Sequence, residues 1–75
     1  MVKVMVEEVA VAAGSTIGIA RGKADDGTVV VTFAGPWQAM ESLGWAMVAA
    51  GEPIAVEVED WQVLDVAEVP TNREG

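Results

Sequence analysis

Residues 27–69 are a succession of short valine-rich runs cut by glycine and proline turns, with Trp37, Trp45 and Trp61 at or beside those turns. Runs of this length and spacing suit strands better than helices. Residues 28–33 are the clearest case. Val29, Val31 and Phe33 fall on one face, and Thr28, Val30 and Thr32 on the other. Gly35-Pro36 punctuates the run. Residues 37–41 suit a short returning strand. Residues 42–50 are ambiguous: Leu43, Met47 and Ala50 have helical spacing, yet a loop with a short strand around Trp45 fits as well. Gly51-Glu52-Pro53 makes a firm break. Ile54, Val56 and Val58 then alternate with Ala55, Glu57 and Glu59, a half-buried strand with an acidic outer face. Asp60-Trp61 predicts a turn, and residues 62–69 a last strand with Leu64 and Val66 inward.

The first third continues the pattern. Val2, Val4 and Val6 alternate with Lys3 and Met5, whereas Val9 and Val11 carry the apolar set onto odd numbers. A bulge at the adjacent acids Glu7-Glu8 accounts for the switch of face. Residues 12–15 read as a turn. The next strand has Ile17 and Ile19 on one face and Gly18, Ala20 and Gly22 on the other. Glycine inside a strand marks a bend or a close backbone approach and lets a small barrel coil tightly. Asp25-Asp26-Gly27 is a hairpin signal. The expectation is a single all-β domain over residues 1–70 with a frayed tail at 71–75. It has five or six strands in a small OB-like barrel, and at most one short helix around 42–50. An SH3-like barrel is the alternative.

A chain of 75 residues buries a small core. With no Cys there is no disulfide and no thiolate metal site, and with no His the usual ligand and the usual neutral-pH base are missing. The apolar share is 52%, mostly Val and Ala. An apolar excess without covalent staples favours a homo-oligomer. The net charge of −8 repels phosphate backbones and anionic membrane surfaces. No stretch is long and apolar enough for a signal peptide or a bilayer span. We therefore expect a cytoplasmic protein without nucleic-acid or membrane-inserted partners.

Several runs resemble the soluble C-terminal domain of the NfeD family, a five-stranded OB-type barrel. They are Asp26-Gly27-Thr28-Val29-Val30-Val31, Trp37-Gln38-Ala39-Met40-Glu41-Ser42, Val48-Ala49-Ala50-Gly51-Glu52-Pro53-Ile54-Ala55-Val56 and Leu64-Asp65-Val66. Ile17-Gly18-Ile19-Ala20 matches the family's first strand, so the resemblance covers residues 14–69. Members of the family carry transmembrane helices ahead of this domain, where the present sequence has the valine strand of residues 2–11. The resemblance implies a scaffold or regulator of a membrane-associated partner.

The candidate sites are few. Trp37, Trp45 and Trp61 read first as caps on a core short of large side chains. Their other reading is a partner-contact surface, which suits Trp61 best. Glu57, Glu59 and Asp60 read as a solvated strand face rather than a cation site. Arg21 and Lys23 are expected to offset Asp25 and Asp26. No nucleophile, base, metal set or cofactor motif can be named, which argues against an enzyme. A non-enzymatic interaction or assembly module is the main expectation, with Val2–Val11 offering its edge to a second subunit. The alternative is a small-ligand binder with its pocket between the Gly-Ala face and Trp37 or Trp45. A single-stranded nucleic-acid binder is suggested only by fold analogy.

Overall fold

Valine alternation does build the first strand, and the two acids do interrupt it. In the computed structural model, which describes residues 1–24 and 27–69, β1 runs over Val2–Val11 and pairs with β2, Ile17–Ala24. The register passes from Val6↔Gly22 to Glu8↔Arg21, leaving Glu7 as the extra residue of a bulge. Val4 and Val6 before the bulge are fully buried, and Val9 after it also packs on the core. One inserted residue thus keeps valines on the inner face along the strand.

β3, Val29–Pro36, pairs with β2, and β5, Val63–Glu68, pairs with β3. β4, Ile54–Val58, lies against the first half of β1. All four ladders are antiparallel, and the sheet order is β4-β1-β2-β3-β5. A single helix, α1 over Trp37–Ala50, separates β3 from β4 and packs on the sheet. The result is a small, barrel-like, all-β fold of the OB type. Its core is Val4, Val6, Ala20, Val31, Phe33, Met40 and Val58.

β2 supplies almost no bulk to that core. Gly18, Ala20 and Gly22 face inward, while Ile17 and Ile19 stand 51% and 41% exposed outside. The missing side chains are replaced by close approach. A Cβ placed on Gly22 would lie 2.0 Å from the Met5 carbonyl oxygen and 2.7 Å from the Val6 Cα. A Cβ on Gly18 would lie 2.8 Å from the Met40 Cβ. Through these glycines β2 lies close against β1 at Gly22 and against α1 at Gly18.

Three expectations are corrected. The helix begins at Trp37 rather than near Ser42, so residues 37–41 are not a strand. Pro36 holds φ at −57° as the N-cap residue, and the Trp37 N–H reaches back to the Thr16 carbonyl at 3.2 Å. Proline thus sets the entry to the helix as well as ending the strand. Gly51, at φ 71°, closes the helix by donating to the Met47 carbonyl at 2.8 Å.

Leu64 and Val66 are not buried; they are 57% and 55% exposed. β5 is an edge strand, a register shift in its ladder falls between Thr32 and Phe33, and only Val63 of the strand packs on the core. β1 is not a free edge along its whole length, because residues 2–6 are paired with β4 and residues 4–6 of them with β2 as well. Arg21 pairs with Glu8, its neighbour across the β1–β2 ladder. Asp25 and Asp26, assigned to the hairpin turn and to that charge balance, lie outside the described residues, as does the tail from residue 70.

The predicted turn at Asp60-Trp61 is a short 3-10 helix, η1 over Asp60–Gln62. The Glu59 N–H donates to Gln62 Oε1 at 3.0 Å, and Gln62 Nε2 donates to the Ala34 carbonyl at 3.3 Å. One glutamine therefore caps the turn and ties it to β3. Asp60 pairs with the Met1 amino group at 3.5 Å.

Candidate functional site

The helix and the second half of β1 enclose a groove. β4 pairs only with residues 2–6 of β1. From Glu7 onward no described strand accompanies that edge. α1 starts beside Thr16, and the chain beyond its C-terminus enters β4 opposite Val6. The helix therefore runs alongside residues 7–11 of β1 without touching them everywhere. Glu7, Val9 and Val11 form one wall of the groove, and Glu41, Trp45 and Val48 the other. Met40, Gly44 and Met47 also line it, and Glu52 and Pro53 lie at the β4 end. Its volume is about 680 Å³. A smaller depression of about 530 Å³, lined by residues 11–15, Trp37 and Glu41, continues it past Val11.

The groove is apolar along its walls and acidic at its rim. Trp45 is 69% exposed and Val48 73%. The ionisable side chains lining it are Glu7, Glu41 and Glu52, with no lysine or arginine beside them. Among the described residues none of the three joins an ion pair; the recorded pairs use Glu8 and Asp60.

The three tryptophans do not act as the core caps expected of a Val-Ala interior. Trp45 stands exposed on the groove wall, and Trp37 is half-buried on its continuation. Trp61, on η1, is 79% exposed and is not among the residues lining the groove. The structure thus brings Trp37 and Trp45 to one trough and leaves Trp61 apart. Beside the Gly-Ala face of β2, where a ligand was expected, Met40 packs closely: its Cβ lies 2.8 Å from where a Gly18 Cβ would be. Sequence reasoning passed over Glu41, Val48 and Glu52; it named the edge of Val2–Val11, of which residues 7–11 are the part that β4 leaves unpaired. The helix residues share a stripe at positions 37, 41, 45 and 48, a signal visible only once the helix is started at Trp37.

Glu59 and Asp60 are engaged as described above. Among the described residues no cluster of three or more potential ligands could hold a metal ion. No described helix is long and apolar enough to cross a membrane. No protein-family model, curated protein or solved structure matches the chain.

Proposed function

We propose that this domain is a non-enzymatic protein-interaction module, and that the groove between α1 and β1 docks a polypeptide segment of a partner. The observation that carries the reading is the exposure of Trp45 and Val48 on the wall of an otherwise apolar trough. Large aromatic side chains held in solvent beside a concave apolar surface are typical binding anchors. The trough is open to solvent and is continued by the depression beside Trp37, which suits a chain segment better than a compact metabolite. Its ionisable groups are carboxylates spread along the rim, with no paired nucleophile and base. The resemblance of residues 14–69 to NfeD domains favours a membrane-associated partner.

Panning an unbiased peptide library on the whole chain tests this. Selected peptides are expected to bind the native protein and to lose at least about tenfold in affinity to the Trp45→Ala variant, a typical penalty for removing a hot-spot aromatic. Because Trp45 is largely solvated, that variant is expected to melt with the native protein. An empty selection, or binders indifferent to Trp45, would sink the groove as the docking site. Light scattering on the same samples identifies self-docking of a second copy.

A further inference from the structure

Resting on that reading, we propose that the occupant of the groove is a basic, extended peptide segment that adds to β1 as a strand along residues 7–11. Two observations converge on this chemistry. The first is the uncovered edge. β4 stops pairing at Val6, while β1 continues to Val11. In a strand paired on one side only, alternate backbone N–H and C=O groups point away from the partner. For residues 7–11 that open edge borders the groove, which Glu7, Val9 and Val11 line. An extended segment satisfies those groups with ladder hydrogen bonds, as in β-strand addition. A helical segment has its own backbone groups already paired and cannot do so. The uncovered edge is about 16 Å long at 3.3 Å per residue, enough for five occupant residues.

The second observation is charge. Glu7 and Glu52 stand towards the β4 end of the groove, and Glu41 is shared with its continuation. No base answers them among the groove residues. A strand alternates its side chains between two faces. Apolar side chains can then meet Trp45 and Val48 while basic ones reach the glutamates. The net charge of −8 adds long-range attraction for a cationic segment and repels an acidic one.

The probe is a capped eight-residue peptide alternating valine and lysine. It is titrated into the isotope-labelled whole chain and followed by NMR and calorimetry. Shift changes are expected at residues 7–11 and at Trp45. Affinity is expected to fall at least about tenfold between about 50 mM and about 500 mM salt, because exposed charge pairs are screened. Replacing Glu7, Glu41 and Glu52 together by glutamine is expected to cost about tenfold at low salt. A glutamate version of the peptide that binds equally well would overturn the basic character of the occupant. A version N-methylated at alternate residues that keeps its affinity would overturn strand addition. If the lysine peptide fails while library-selected peptides still depend on Trp45, this proposal falls and the docking groove stands. If both fail, the groove falls as well.

Discussion

Replacing Gly22 by alanine is expected to destabilise the native fold severely. The new methyl group would sit 2.0 Å from the Met5 carbonyl oxygen and 2.6 Å from its carbon. Both obstacles are backbone atoms of the neighbouring strand, so no rotamer change relieves the clash. The site faces Val6 in the ladder, the last paired position before the bulge. Relief would require β1 and β2 to part where the core valines Val4 and Val6 are held. Overpacking of this kind costs about 3 kcal/mol or more. A domain of this size has in total about 4–11 kcal/mol of stability. The melting temperature is therefore expected to drop by at least about 15 °C, if a cooperative transition survives. Lys23→Ala, one residue away on the exposed face, is the control and should stay within about 0.5 kcal/mol of the parent. Circular dichroism melts of the two variants decide the matter. A Gly22→Ala protein melting with the parent would show that the strands do not approach as described.

The second large effect is expected at Met40. This is the one fully buried side chain of α1, 4% exposed, and it fills the space left by the glycines of β2 and β3. Truncation to alanine removes the thioether that lies against Gly35 and leaves a cavity under the helix. Losses of 2–5 kcal/mol are usual for such a change, about 3 being expected here. Helix α1 should loosen more than the sheet, because its other inward residues, Leu43 and Met47, are only partly buried. Peptide binding in the groove should then fall along with helical content. Met40→Leu keeps the volume and is expected to cost less than about 1.5 kcal/mol. Urea denaturation of both variants, read by helix-sensitive circular dichroism, provides the check. A loss below about 1 kcal/mol for the alanine variant would mean that α1 is anchored elsewhere.

Strand identity was legible where local chemistry and burial agree. The shift of valines from even to odd positions across Glu7-Glu8 pointed to the bulge, and the structure has it there. Gly51 was read as a break and proves to be the helix C-cap. The helix start was not legible because Pro36 offers no capping side chain, and α1 carries apolar residues around much of its circumference. A periodic stripe is hard to see when Trp37, Met40, Leu43, Trp45, Met47 and Val48 are all apolar.

The role of the tryptophans was misjudged for a related reason. The core looked short of volume only if its walls stood at ordinary distances. Gly18, Gly22 and Gly35 draw those walls inward, so valines, Phe33 and Met40 suffice. Leu64 and Val66 alternate as a half-buried strand should, but alternation does not reveal whether anything covers the strand. The groove was illegible because it exists only between a helix that was started too late and a strand edge whose pairing partner stops early.

The extra residue at Glu7 has a consequence for how such a surface arises. It divides β1 into two segments in opposite phase. The first, with β4, belongs to the interior; the second, with α1, furnishes a wall of the trough. If Glu7 and Glu8 alternated regularly with no bulge, Val9 and Val11 would turn to the opposite side and the trough would lose its apolar lining, while residues 2–6 kept their partners. The lining of the trough therefore depends on where the strand absorbs its extra residue, and not on the interior that residues 2–6 help to build.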